Sequence, residues 1–222
     1  MKPVIGTVTI GQSPRTDLIP EFKAILGEDV QIIEAGALDG MTLEEVLAIR
    51  PEPGDYVLVT KMTDGTTVKI AERHILTRMQ KQINGLLEKG VDLVALVCTG
   101  EFPPFESERL IVRPQAVLFN NAMAVGQGLR IGVLTPDKDQ IPQSNARWSE
   151  ATSTLRVESA SPYGDVSEVV RAARVLGDWG AQLVVMDCIG YTLAMKEMVK
   201  EQVRCPVILA RSMVARVLAE LV

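Results

Sequence analysis

The sequence predicts an α/β protein with two pseudo-symmetric Rossmann-like lobes, mainly parallel sheets and a ligand cleft between the lobes. Three observations predict this fold. An eleven-residue pattern occurs twice, at 90–100 and 180–190, and each copy has a Gly, an apolar strand, a Cys and a second Gly. Short apolar runs alternate with helical patterns, as in parallel sheets covered by helices. Aromatic residues make up only 4% of the 222 residues, which favours helices layered on aliphatic strands over an aromatic-rich sandwich.

The first half of the chain alternates predicted strands and helices. Helical spacing begins at Leu18 and ends at Gly27. Residues 42–45 (Thr-Leu-Glu-Glu) are a capping box that opens a short helix. The Asp64-Gly65 pair is typical of a hairpin turn, so the strand after it is expected to return antiparallel, whereas the other strands fit a parallel sheet. Strands are predicted at 4–10, 30–34, 56–60, 68–71 and before Cys98, and helices at 18–27, within 39–48 and at 72–89.

A break in the pattern separates the two halves. Pro103 and Pro104 cannot continue a regular helix, which predicts a lobe boundary nearby. Aligning the cysteines of the two repeats also aligns Leu86 with Leu176, so the repeat extends into the preceding helices. Later strands are predicted at 129–134, 154–159, before Cys188 and at 206–210, and helices at 141–152, 165–179, 190–202 and 212–222. The predicted lobes are 1–105 and 106–210, with a last helix at about 211–222 packing back on the first lobe.

Charge and composition argue against several classes of protein. The net charge is −5, with Lys and Arg scattered along the chain, so no nucleic-acid partner is expected. No apolar run approaches the roughly 20 residues that cross a bilayer, and residues 1–7 look like a strand rather than a signal peptide. A cytoplasmic protein with no membrane partner is therefore expected. Three cysteines without a CxxC pair or a nearby histidine cluster predict reduced thiols and no metal site.

Each repeated strand ends in a cysteine. Because ligands bind beyond the carboxyl ends of strands in open parallel sheets, we expect Cys98 and Cys188 to face one ligand. A thiolate can remove a proton from a carbon acid while a thiol returns one from the other side, which is how a cofactor-independent racemase works. A helix starting just after Gly190 is expected to favour the Cys188 thiolate. The alternative is that both cysteines are small core residues.

Polar residues at the ends of other strands are the candidates for ligand binding. Residues 9–15 offer hydroxyls, a flexible backbone and the Arg15 guanidinium, which suit a carboxylate or phosphate, unless they form only a capped turn. Thr135 is their counterpart in the second half, and Thr60 and Asp64 follow the third strand, where ordinary turn chemistry is the alternative. With the neighbours of the cysteines, the candidate substrate-binding residues are Gly11, Gln12, Ser13, Arg15, Thr60, Asp64, Thr99, Gly100, Thr135, Ile189 and Gly190.

Four other residues are weighed as possible functional groups. Cys205 has no matched partner in the repeat and is expected to be structural. Asp187 points away from Cys188 on an extended strand, which predicts a buried polar anchor. His74 is expected to be solvated on its helix. Arg211 follows the last strand, where it either reaches the ligand or lies on the surface.

The sequence resembles the AroM family in three segments: Thr7–Arg15 (TVTIGQSPR), Val184–Gly190 (VVMDCIG) and Ala210–Arg216 (ARSMVAR). The AroM family looks related to the aspartate/glutamate/hydantoin racemase superfamily, whose fold has two pseudo-symmetric lobes that supply one cysteine each. The resemblance implies that Cys98 and Cys188 are a catalytic acid/base pair. It also implies a homodimer.

The residues after each cysteine refine this resemblance. The Cys-x-Gly segments 98–100 and 188–190 are similar to the loops of the hydantoin racemase branch. Aspartate and glutamate racemases usually place Asn, Thr or His after the cysteine, whereas here Thr99 is comparable and Ile189 is apolar. The expected function is a racemase or isomerase-like enzyme without a cofactor, acting on a small carboxylate or cyclic amide. The alternatives are a non-catalytic binding or sensor protein for a small anion, and a one-thiol lyase or decarboxylase.

Overall fold

Two four-stranded parallel sheets carry the fold of the protein, whose computed structural model describes residues 2–222. One sheet belongs to the unit Met1–Pro114 with Ala215–Val222, here called the first lobe. The other belongs to Gln115–Val214, the second lobe. The predicted α/β class with two lobes and mainly parallel sheets is confirmed.

In chain order the elements of the first lobe are β1 (Val4–Thr9), α1 (Ile19–Leu26), β2 (Gln31–Gly36), α2 (Leu43–Leu47), β3 (Val57–Lys61), β4 (Thr67–Ala71), a 3₁₀ turn (Glu72–His74), α3 (Leu76–Glu88), β5 (Leu93–Leu96) and β6 (Ile111–Val112). The strands form a parallel sheet of strand order β2-β1-β5-β6 and a separate antiparallel hairpin, β3-β4. The predicted capping box is confirmed, because Thr42 and Glu45 exchange side-chain and backbone hydrogen bonds at the start of α2.

The elements of the second lobe are α4 (Pro114–Gly126), β7 (Ile131–Thr135), a 3₁₀ turn (Lys138–Gln140), α5 (Ile141–Trp148), β8 (Leu155–Ser159), α6 (Val166–Asp178), β9 (Leu183–Met186), α7 (Leu193–Gln202), β10 (Val207–Leu209) and the start of α8 (Ala210–Leu221). The strands form a parallel sheet of strand order β10-β9-β7-β8. None of the helices in the described part of the chain combines the length and apolar character that crossing a membrane requires.

The strand predicted at residues 56–60 lies outside the parallel sheet, contrary to the sequence prediction. It is β3, and within residues 2–222 it pairs with β4 alone. Local bonds close this hairpin: the Met62 amide donates to the Thr66 carbonyl at 2.9 Å, the Thr66 amide donates to the Asp64 carboxylate at 2.8 Å, and Gly65 has a φ of 90°. The antiparallel return predicted for 68–71 is confirmed.

The sequence predicts neither α4 nor the short strand β6. Apolar residues occur on all sides of α4, so no helical periodicity marks it. Asn120 and Asn121, which have poor helix propensity, lie in its middle. Pro114 suits the first position of the helix, because its missing amide hydrogen has no partner to lose there.

The repeated sequence pattern corresponds to a repeated packing arrangement. In the first lobe Gly6 of β1 pairs with Val94 of β5, and in the second lobe Gly132 of β7 pairs with Val184 of β9. The aligned leucines pack on these glycines. A Cβ atom added to Gly6 would lie 3.0 Å from Leu86 Cδ1, and one added to Gly132 would lie 3.1 Å from both Leu176 methyl carbons. Both leucines are fully buried in the cores of their lobes.

We expect Gly6→Ala to destabilise the protein by about 1–3 kcal/mol, because the new methyl group overpacks Leu86 and Val91. The matched control is Gly85→Ala in α3, where nothing lies within 4 Å of an added Cβ. That variant should stabilise the helix by about 0.5–1 kcal/mol. Urea unfolding measures the free energy of unfolding of both variants. Equal free energies for Gly6→Ala and Gly85→Ala would contradict the packing argument.

Candidate active site in the two cysteine loops

The two cysteine loops have the same local geometry. Cys98 and Cys188 each lie two residues beyond the end of a central strand, β5 or β9. The amide of Gly100 donates to Cys98 Sγ at 3.3 Å, and the amide of Gly190 donates to Cys188 Sγ, also at 3.3 Å. An N–H donated to sulfur is a contact that stabilises negative charge on that atom. Neither cysteine is in a disulfide.

Gly100 and Gly190 leave no room for a side chain, because other groups pack closely against them. The groups that pack against the two glycines differ. A Cβ atom on Gly100 would lie 2.8 Å from Leu58 Cδ2 and 3.1 Å from Phe102 Cζ, so this loop is covered by apolar groups. On Gly190 it would lie 2.6 Å from the Tyr163 hydroxyl oxygen. The same Cβ atom would lie 2.8 Å from Pro162 Cγ, so the second loop has a phenol hydroxyl in addition to hydrocarbon.

Helix α7 begins later than the sequence predicts. Its first residue is Leu193, and its N-cap is Thr192, whose hydroxyl accepts the Met195 amide at 3.1 Å. The amide that contacts Cys188 comes from the turn at Gly190, not from the helix. Because Cys98 Sγ receives the same contact from Gly100, this hydrogen bond does not distinguish Cys188 from Cys98.

Two buried residues lie beside the second loop: Arg211, for which the sequence leaves a ligand contact and a surface position open, and Tyr191, which the sequence does not single out. Arg211 is 1% exposed and donates from Nε to the Ile189 carbonyl at 2.9 Å and from Nη2 to the Gly190 carbonyl at 3.0 Å. Tyr191 is fully buried and donates its hydroxyl to the Ala160 carbonyl at 2.6 Å. Burial, with smaller contributions from the negative charges of Cys188 and Asp187, raises the pKa of Tyr191 well above its ordinary value. Tyr191 is thus a neutral phenol beside Cys188.

The predicted role of Asp187 as a buried polar anchor is confirmed. Its carboxylate is ion-paired with Arg147 and accepts the Trp148 indole N–H at 2.8 Å. The Asp187 side chain is 1% exposed and the Arg147 side chain 8% exposed. This pair ties the end of β9 to α5, and it does so directly before the cysteine.

In the loop after β1, two of the predicted ligand-binding residues hold other protein segments. The Gln12 side chain donates to the Leu38 and Met41 carbonyls, and its oxygen accepts two hydrogen bonds from Thr63 at 2.9 and 3.0 Å. Ser13 donates from its amide and its hydroxyl to the Asp39 carboxylate, each at 2.7 Å. These side chains join the β1 loop to the loop after β2 and to the hairpin.

The guanidinium of Arg15 is likewise engaged within the protein. It binds the Asp17 carboxylate with two bonds of 2.8 Å and donates to Thr9 Oγ1 at 3.1 Å. Burial alone would raise the pKa of Asp17, but the hydrogen bond and charge of Arg15 outweigh it and hold this pKa below its ordinary value. The fork that the sequence assigned to a ligand carboxylate therefore already holds a carboxylate of the protein.

Thr60 is a different case, because the residue is 1% exposed and its buried hydroxyl lacks a hydrogen-bond partner within residues 2–222. It lies against Gly11, where an added Cβ would be 2.3 Å from Thr60 Oγ1. A buried hydroxyl without a partner is costly unless a bound molecule satisfies it. Of the candidate residues in the first lobe, Thr60 offers the clearest unused hydrogen-bonding group.

The remaining candidates lie at strand ends. Thr99 and Thr135 are buried, after β5 and at the end of β7. Asp64 is exposed and caps its own turn, and the hydrogen bond from the Thr66 amide lowers its pKa. Cys205 is half-buried, and burial raises its pKa.

His74 is exposed in the 3₁₀ turn before α3, in line with its expected solvation. Among residues 2–222 no group of three or more His, Cys, Asp or Glu side chains is arranged to hold a metal ion.

The fold is shared with solved enzymes of low sequence identity. Unliganded arylmalonate decarboxylase matches with a TM-score of 0.62 and 15% identity, over 98% of this chain and 91% of its own. Glutamate racemase from Aquifex pyrophilus matches with a TM-score of 0.60 and 12% identity, over 99% and 84%. The maleate isomerase Iso from Pseudomonas putida S16 matches with a TM-score of 0.63 and 12% identity, over 99% and 92%. The structure thus has the two-lobe α/β fold of these racemases, isomerases and decarboxylases.

The family model described as AroM protein matches residues 5–222, so the chain belongs to the AroM family. This confirms the resemblance seen in the sequence. No curated protein sequence matches the chain.

We expect Asp187→Asn to destabilise the protein by about 3 kcal/mol, because it removes the charge that balances buried Arg147 without changing the size of the side chain. Glu168→Gln is the matched control, since it neutralises an ion pair with Arg171 in which both side chains are more than half exposed. Its effect should stay below about 1 kcal/mol. Equal shifts of the urea midpoint in the two variants would refute a special contribution from the Asp187 pair.

Proposed function

We propose that the protein is a cofactor-independent racemase- or isomerase-like enzyme that moves protons through Cys98 and Cys188. The observation that carries the proposal is the pair of matched contacts, one in each lobe, in which a glycine amide donates to the cysteine sulfur at 3.3 Å. A core cysteine needs no such donor, whereas a sulfur that alternates between thiol and thiolate benefits from one.

The proposed reaction starts with one cysteine as a thiolate and the other as a thiol. The thiolate sulfur takes a proton from the carbon next to a carboxylate or amide carbonyl, and the C–H electron pair passes to that carbonyl group. The thiol then gives its proton to the opposite face of the same carbon, which inverts the centre. The two sulfurs finish with their protonation states exchanged, so the reverse direction uses the same groups in swapped roles.

The substrate class that we propose is a small carboxylate or cyclic amide. Its polar groups would bind three buried threonines: Thr60 within β3, Thr99 after β5 and Thr135 at the end of β7. Ser13 and Arg15 would act indirectly, because their hydrogen bonds to Asp39 and Asp17 hold the loop that follows β1. The similar structures include a glutamate racemase and a maleate isomerase, and this likeness supports chemistry on small carboxylates.

A one-thiol decarboxylase is the second candidate. The observation that favours it is the unequal setting of the two cysteines: Leu58 and Phe102 cover the Cys98 loop, whereas the Tyr163 hydroxyl lies over the Cys188 loop. The likeness to arylmalonate decarboxylase points the same way. In such a reaction the substrate loses CO₂, the carbanion takes a proton from one thiol, and solvent reprotonates that sulfur.

Proton exchange in deuterated buffer tests the proposal. A panel of chiral small carboxylates and cyclic amides is incubated with the protein and followed by NMR. We expect deuterium to appear at the stereocentre of the accepted substrate. Cys98→Ser and Cys188→Ser should each slow racemisation at least about 100-fold, because each removes one general acid/base, whereas the control Cys205→Ser should leave the rate unchanged.

The outcomes separate the candidates. Release of CO₂ that needs only one of the two cysteines would favour the decarboxylase. Exchange that survives both single substitutions would refute the two-thiol mechanism. Ligand-induced thermal stabilisation without any exchange would indicate a binding protein.

A further inference from the structure

We infer that Arg211 is a positioning residue that aims the Gly190 amide at Cys188 and thereby stabilises the Cys188 thiolate. The use of a Cys188 thiolate rests on the proposed function. The role of Arg211 is argued from its own hydrogen bonds to the loop. It assigns a role to a residue that the sequence left open between the ligand and the surface.

The sheet brings Arg211 to the Cys188 loop. Strand β10 pairs in parallel with β9, with Val207 opposite Val184 and Leu209 opposite Met186. The chain leaves β10 directly into α8, so Arg211, in the first turn, lies at the strand end next to the one that carries Cys188. Its side chain is 1% exposed, so both of its bonds to the loop are made away from water.

One peptide unit links Arg211 to the sulfur. The Ile189 carbonyl and the Gly190 amide belong to the same planar peptide, in which the oxygen and the hydrogen point in opposite directions. Arg211 Nε holds the oxygen of that peptide at 2.9 Å, and the hydrogen side reaches Cys188 Sγ at 3.3 Å. Because the peptide is rigid, fixing its oxygen fixes the direction of its N–H.

A second bond strengthens the arrangement. Arg211 Nη2 donates to the Gly190 carbonyl at 3.0 Å, so the guanidinium holds two successive peptides in its planar fork. Rotation of the Ile189–Gly190 peptide would break the bond to Arg211 and turn the amide away from the sulfur. The guanidinium also carries a permanent positive charge near the loop, which favours the thiolate.

The Arg211 substitutions leave the other charged or titratable side chains around this loop in the protein. They are Asp187, which is paired with Arg147, and the phenols of Tyr163 and Tyr191. A change in the titration of Cys188 in an Arg211 variant therefore reports on the guanidinium and the peptide that it holds.

The test measures the Cys188 thiol directly, in a Cys98→Ser/Cys205→Ser background that leaves one cysteine. The pH dependence of its alkylation by iodoacetamide, together with the ultraviolet absorbance of the thiolate, gives its apparent pKa. We expect Arg211→Gln to raise this pKa by about one unit, which lowers the thiolate fraction at neutral pH about tenfold. Arg211→Lys keeps the charge but loses the fork, so a smaller rise is expected.

Arg216→Gln is the matched control, because this arginine is exposed on the same helix, and it should leave the titration unchanged. A Cys188 pKa that is the same in Arg211→Gln as in the parent protein would overturn the inference. If Arg211→Gln does not fold, the test uses Arg211→Lys instead. An unshifted Cys188 pKa in that variant would also overturn the inference.

The thiol titration is independent of turnover. A raised pKa in the Arg211 variants, combined with no proton exchange in the intact protein, would support the positioning role while contradicting the proposed function. An unshifted pKa combined with active exchange would contradict the positioning role of Arg211 while supporting the proposed function.

Discussion

The last hydrogen bond of the central strand pair sets the position of each cysteine. In the first lobe the Val97 amide donates to the Val8 carbonyl at 2.8 Å, and in the second the Asp187 amide donates to the Leu134 carbonyl at 2.9 Å. The next residue in each lobe is the cysteine, which is therefore the first residue after the last of these hydrogen bonds between the strands. The chain turns there, and in both lobes the amide two residues after the cysteine donates to its sulfur. The leucine-on-glycine packing beneath this strand pair keeps the register the same in both lobes.

The two lobes share this scaffold but surround it differently. Before the cysteine, the first lobe has the apolar Val97, whereas the second has Asp187, paired with Arg147. The same local geometry therefore holds the two sulfurs in surroundings that differ in charge.

The β1 loop illustrates why polar residues at a strand end are ambiguous in a sequence. Gln12, Ser13 and Arg15 have the side chains that an anion site needs, and the same side chains suit a loop that must be held in place. Their partners decide between these roles, and the partners Thr63, Asp39 and Asp17 satisfy them within the protein. Thr60, whose hydroxyl has no such partner in the described part of the chain, is the stronger candidate for ligand binding in the first lobe.

Local patterns in the sequence were sufficient to predict most of the strands, helices and turns of this protein. Alternating apolar runs, the capping box at Thr42 and the Asp64-Gly65 turn depend on neighbours within a few residues, so they could be predicted, and the repeated Gly and Cys positions revealed the duplicated strands. Only the tertiary structure decided that β3 leaves the parallel sheet and that Arg211 holds the Cys188 loop. Strand pairing and side-chain partners join residues far apart in the chain, and their energies depend on which groups folding brings together.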